Sequence, residues 1–118
     1  MNQKFPKKEK IKSRKTIDQL FSEGKSRVQY PVKMLYIPSE IEVHQAAFSV
    51  PKRNFKRAVD RNRIKRQLRE AYRLNKHILS DSTEKFALFF IFLGKENPQY
   101  RQIEKSMKKL LVQVKNKK

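Results

Sequence analysis

The chain has 118 residues, with 30 Lys plus Arg against 11 Asp plus Glu and a formal charge of +19 at neutral pH, so one small, very basic domain over residues 1–118 is expected. A hydrophobic share of 37% with 8 Phe and 4 Tyr is lean but enough for a single core, which argues against full disorder. There is no Cys, which excludes zinc ribbons, disulfide scaffolds and thiol catalysis. Met1–Lys15 lacks the apolar stretch of a secretory signal, and the longest apolar run, Phe86–Leu93, is too short to span a bilayer. Membrane insertion is not expected, and a cytoplasmic setting is compatible with these features.

In chain order, Ser13 can cap a short helix carrying Ile17, Leu20 and Phe21 at i, i+3, i+4 spacing, with Gly24 as its stop. Pro31–Ile37 alternates Val32, Met34, Tyr36 against Lys33, Leu35, Ile37 and predicts a strand closed by Pro38. Residues 44–50 predict a second strand, with Ala46, Phe48 and Val50 on one face, and the acidic link Ser39–Val43 reads as a hairpin loop. Lys52–Arg57 is a basic connection into a long helical pattern from about Arg57 to Leu79, whose apolar stripe is Ile64, Leu68, Ala71, Tyr72 and Leu79. Phe86–Leu93 is continuously apolar, as expected of a strand covered on both faces in mid-sheet. After a turn at Gly94–Pro98, Ile103, Met107, Leu110, Leu111 and Val114 predict a final amphipathic helix. The pattern is that of an α+β sandwich of one sheet and about three helices.

The charge is concentrated. Residues 1–15 hold seven bases and one acid, residues 52–76 eleven bases and two acids, and residues 105–118 six bases and no acid. Basic, flexible ends are expected near 1–10 and 115–118. Within the long helix, Asn62, Lys65, Arg66, Arg69, Arg73 and Lys76 share an arc of about 100° with no acid among them. An ordinary solvated face mixes signs to gain i,i+4 pairs, whereas like charges at these spacings repel. Guanidinium forks match phosphates, so nucleic acid fits this stripe better than a plain solvated face or an anionic membrane.

A catalytic reading has little support. The acids are scattered among bases, His44 and His77 have no partner in the sequence, and two glycines, Gly24 and Gly94, make no phosphate loop. Phe21 could stack a base or pack in the core, while Phe48 reads as core. A structural RNA-binding protein and an autonomous nuclease are the rival functions, the latter opposed by the scattered acids.

The segment Arg61-Asn62-Arg63-Ile64-Lys65-Arg66-Gln67-Leu68-Arg69-Glu70 resembles the signature helix of the bacterial ribonuclease P protein subunit, and Phe48-Ser49-Val50-Pro51-Lys52-Arg53 resembles that family's strand ending in paired bases. The likeness runs from about Ile11 to Leu111. It implies an α-β-β-β-α-β-α two-layer sandwich with a four-stranded sheet, an extra strand near Arg27–Tyr30 and a left-handed βαβ crossover. It also implies a protein cofactor of a ribonucleoprotein endoribonuclease, whose RNA catalyses removal of the 5′ leader of precursor tRNA. By position, Arg61, Asn62, Arg63, Lys65, Arg66, Arg69 and Arg73 would contact ribonuclease P RNA. Ile17, Phe21, Leu35, Lys52 and Arg53 would line the cleft for the precursor tRNA leader. Magnesium ions (Mg2+) would act mainly through the RNA; no catalytic residue, metal ligand or membrane partner is expected of the protein, and protein oligomerisation is not implied.

Overall fold

The computed structural model describes residues 5–39, 41–80 and 82–116. Three helices, α1 (Arg14–Glu23), α2 (Ala58–Asn75) and α3 (Tyr100–Lys115), combine with four strands, β1 (Lys25–Gln29), β2 (Val32–Pro38), β3 (Gln45–Ser49) and β4 (Phe86–Phe92). The chain order is α-β-β-β-α-β-α, and the sheet order is β1-β2-β4-β3. β2 is antiparallel to both β1 and β4, whereas β3 runs parallel to β4 and is joined to it through α2.

Alternation along the strands decides what each face of the sheet meets. Val32, Met34 and Tyr36 of β2, Ala46 of β3, and Phe86, Leu88, Phe90 and Phe92 of β4 pack with the buried stripes of α2 and α3 in the larger core. The opposite residues, Leu35, Ala87 and Phe89, join Ile11 and Leu20 in a smaller cluster under α1. Ser13 caps α1 by accepting from the Thr16 N–H at 3.3 Å. Gly24 ends α1 with an ordinary φ of −68°; its requirement is space, because a Cβ there would stand 2.3 Å from the Leu20 carbonyl oxygen.

Three expectations need correction. The link Ser39–Val43 is no hairpin, because the all-apolar β4 takes the central place and separates β2 from β3. The link instead crosses the start of β4, where the Ser39 N–H donates to the Lys85 carbonyl at 2.8 Å; Glu40 lies outside the described residues. The extra strand begins earlier, at Lys25, and ends at Gln29, its residues pairing with Val32–Tyr36. The long helix stops at Asn75 and passes into a tighter 3-10 turn, Lys76–Leu79.

The basic end expected over 1–10 is packed from Phe5 onward. The Phe5 ring stands edge-on to Phe48 and Tyr72, and the Ile11 N–H donates to the Ala46 carbonyl at 3.1 Å, so this segment lies along β3. Residues 1–4 of that end lie outside the described residues. At the other end Lys115 is the last residue of α3, and residues 117–118 of the expected basic tail lie outside the described residues.

Candidate nucleic-acid interface

α2 is held by its apolar stripe, with Ile64, Leu68, Ala71 and Tyr72 buried against the sheet and α3, so its opposite arc faces solvent. Its first turn is fixed by charge. Asp60 accepts from Arg57 Nε at 3.2 Å and lies 3.9 Å from Arg63, a favourable place for an acid at the positive end of a helix dipole. Arg61 turns back, donating from one guanidinium nitrogen to the carbonyls of Phe55 at 2.8 Å and Lys56 at 2.9 Å. That fork ties the basic connection to the helix, so Arg61 positions the segment around it.

Beyond this turn the stripe divides into two halves. The side chains of Asn62, Lys65, Arg66 and Arg69 have no hydrogen bond or ion pair within the described residues, and Asn62, Arg66 and Arg69 are exposed. Toward the C-terminal end the cations are engaged. Arg73 makes a forked pair with Glu70, one arm of it 3.2 Å, and Lys76 donates to Glu9 at 2.8 Å. Arg73 holds the Glu70 carboxyl below its usual range through that hydrogen bond. The patch of unanswered cations is therefore shorter than the sequence stripe and centres on Lys65, Arg66 and Arg69.

The other face of the sheet offers a second surface. Pairing register aligns Val28, Lys33, Ile91 and Ser49 in one row and Ser26, Leu35, Phe89 and Ala47 in the next, all on the α1 side. α1 packs on β2 and β4 and covers only part of these rows. Phe21 leans from the end of α1, 60% exposed, with its ring edge-on to Phe89 at 5.3 Å. Lys52 and Arg53 follow β3 at the end of the sheet where Ser49 pairs with Ile91; both are exposed, and neither side chain has a hydrogen bond or ion pair within the described residues. The result is a shelf with an apolar floor, one protruding ring and a cationic margin.

These positions bring together most of the residues singled out from sequence. Phe21 is accessible on the α1 side, Lys52 and Arg53 are exposed just beyond β3, and Ile17 is half-buried against the cluster under α1. Leu35 is 7% exposed, so it forms floor more than contact surface. Sequence reasoning missed Phe89, Ile91 and Val28 as members of this shelf. The apolar run of β4, buried along its length except at Ile91, reads as core and hid Phe89 and Ile91, while Val28 lies in the polar edge strand β1.

The two histidines are accounted for structurally. His44 Nδ1 accepts from the Phe86 N–H at 3.1 Å, and Nε2, which then carries the proton, lies 3.3 Å from the Leu79 carbonyl. The ring also stacks on Phe86 at 6.0 Å. Burial lowers its pKa from 6.5, so it serves as a neutral bridge between the β2–β3 link, β4 and the turn after α2. His77 is exposed on that turn. Among the described residues no helix is long and apolar enough to cross a membrane.

Comparison with known proteins assigns this architecture. The family model described as Ribonuclease P matches residues 5–115. The chain belongs to the ribonuclease P protein family. It is 41% identical to the ribonuclease P protein component of Porphyromonas gingivalis, covering 92% of this chain and 84% of the relative. It is 31% identical to that of Caldanaerobacter subterraneus subsp. tengcongensis, covering 86% and 85%. The fold is shared with the solved RNase P protein of Thermotoga maritima, at a TM-score of 0.75, 23% identity and coverage of 93% and 98%. The match extends beyond the Ile11–Leu111 span of the sequence likeness to include Phe5–Lys10, the segment packed along β3. As a ribonuclease P protein the chain is a component of a tRNA-processing ribonucleoprotein.

Proposed function

We propose that this chain is the protein cofactor of its ribonuclease P, binding the catalytic RNA through α2 and the 5′ leader of precursor tRNA through the α1-side shelf, while the RNA performs the cleavage. The observation that carries this reading is the cluster Lys65, Arg66 and Arg69, cations whose side chains have no partner among the described residues, on a helix anchored firmly by its other face. A helix face of this kind docks on sugar-phosphate backbone. The shelf suits an extended single strand, with Phe21 offering a stacking surface and Lys52 and Arg53 meeting phosphates without reading sequence.

Magnesium belongs to the RNA in this scheme. Among the described residues there is no group of three or more His, Asp or Glu side chains that could hold a metal ion. The setting is the cytoplasm. The test is reconstitution: the purified chain is added to the catalytic RNA of the same organism and precursor tRNA at low magnesium. Faster leader removal is expected; no effect on cleavage refutes the proposal, and cleavage by the protein rigorously freed of RNA makes it a nuclease instead.

A further inference from the structure

The final helix carries a second cationic stripe that neither α2 nor the α1-side shelf includes. Arg101, Lys105, Lys108, Lys109 and Lys115 fall with Val112 inside an arc of about 120° at 100° per residue, opposite the buried Ile103, Met107, Leu110, Leu111 and Val114. All five cations are exposed, none has a hydrogen bond or ion pair within the described residues, and no acid lies in that arc. From Arg101 to Lys115 this makes a row of roughly 21 Å. Like charges one turn apart repel, so the row costs the free protein stability that a polyanion would restore.

The surroundings identify the kind of polyanion. α3 packs on β1 and β2, and Lys105 and Lys109 border two adjoining depressions, about 270 and 360 Å3, at the junction of α3 with the end of β1. Val112 and the aliphatic stems of the lysines give the larger one an apolar lining. Beside the smaller stands Tyr30, 71% exposed, its backbone held by the Ser106 hydroxyl, which donates to the Tyr30 carbonyl at 3.0 Å. A fixed backbone carrying a free aromatic ring next to a lysine row is the arrangement that takes an unpaired base and its flanking phosphates. α3 lies in the same layer as α2, whereas the leader shelf is on the far side of the sheet, which favours the RNA proposed on α2 over the leader as the occupant.

We infer that the α3–β1 flank is a second RNA-binding surface, holding a single-stranded segment of the catalytic RNA with Lys105, Lys108 and Lys109 on phosphates and Tyr30 stacked on a base. This rests on the reading of α2 as an RNA-binding helix. The protein would then grip its RNA on two flanks.

The experiment is equilibrium binding of the full chain to the catalytic RNA alone, across a salt series, for three proteins: wild type, Arg66→Gln/Arg69→Gln, and Lys105→Gln/Lys108→Gln/Lys109→Gln. Circular dichroism checks that each is folded. The triple variant is expected to bind about 10- to 100-fold more weakly at moderate salt. Its slope of log K against log salt should flatten by about 2, near 0.7 for each phosphate no longer neutralised. Tyr30→Ser should weaken binding about fivefold or more, and Tyr30→Phe should restore it.

If the triple variant binds with the wild-type affinity and slope while the α2 pair is weakened, this inference fails and the proposed function stands. If the wild-type chain does not bind the RNA, both fail. A loss seen only with leader-bearing precursor tRNA overturns the assignment to catalytic RNA, and wild-type binding by Tyr30→Ser overturns the single-strand assignment. Loss of binding to phosphatidylserine–phosphatidylcholine vesicles with unchanged RNA binding overturns it in favour of a membrane.

Discussion

Replacing Phe21 separates a residue that binds from one that builds the core. The ring is 60% exposed, so about two fifths of an aromatic surface on the order of 200 Å2 is covered. At about 25 cal/mol per Å2 that burial amounts to at most about 2 kcal/mol, and the edge-on contact with Phe89 lies within it. Phe21→Ala should therefore lower stability by about 1–2 kcal/mol, well short of the roughly 3–5 kcal/mol expected for fully buried Phe90. If a leader base stacks on the ring, the same change removes about 1–3 kcal/mol of binding, roughly 5- to 150-fold. The assay is the ratio of affinities of the reconstituted ribonucleoprotein for precursor and mature tRNA, with urea unfolding of each variant alongside. Phe21→Leu sharpens the distinction, because it keeps much of the cover over Phe89 but has no ring: stability should stay near wild type while discrimination is lost. A stability loss of about 3 kcal/mol or more with discrimination unchanged would refute the reasoning and return Phe21 to the core.

Other residues give equally separable outcomes. Arg66→Ala and Arg69→Ala should each weaken binding to the catalytic RNA by about 1–3 kcal/mol and change urea stability by less than about 0.5 kcal/mol, since neither side chain has a partner among the described residues. Arg61→Ala should instead cost about 1–2 kcal/mol of stability by releasing the Phe55 and Lys56 carbonyls; wild-type urea midpoints would contradict that. His44 is held neutral with its pKa below 6.5, so its contribution is complete above about pH 6.5 and is lost as pH falls below that and through the folded value. Unfolding free energies from about pH 7.5 down to about 5 should fall more steeply for wild type than for His44→Gln, and parallel curves would remove His44 from the account. Gly24→Ala should destabilise by about 1–3 kcal/mol, because its methyl meets the Leu20 carbonyl at 2.3 Å; an unchanged melting temperature would show that the end of α1 shifts freely.

What could be read from the chain depended on how local the physics was. The alternation in Val32–Ile37 gave the two faces of β2 correctly, because a period of two is set by the residues themselves. The stripe Ile64, Leu68, Ala71, Tyr72 gave the buried side of α2 for the same reason, and with it the outward arc of Lys65, Arg66 and Arg69. Strand partnership is a different matter: a short acidic link reads as a hairpin until Phe86–Phe92, far along the chain, is seen to need pairing on both edges. β1 was invisible to propensity, since Lys-Ser-Arg-Val-Gln is polar on an exposed edge and owes its form to pairing with β2.

The charge pattern shows the same division between local and distant information. Composition announces an excess of cations but not which are already answered. Glu70 is three residues from Arg73 and could be found by counting, whereas Glu9 reaches Lys76 across the fold because Phe5 anchors the N-terminal segment beside Tyr72. Once those two cations are set aside, the cluster on α2 is smaller and better defined than the sequence stripe. A binding surface built this way keeps its C-terminal cations for holding the helix in place and its central ones for the partner. Lys76 and Arg66, alike in charge and on one helical stripe, should therefore respond oppositely to substitution, the first in stability and the second in affinity.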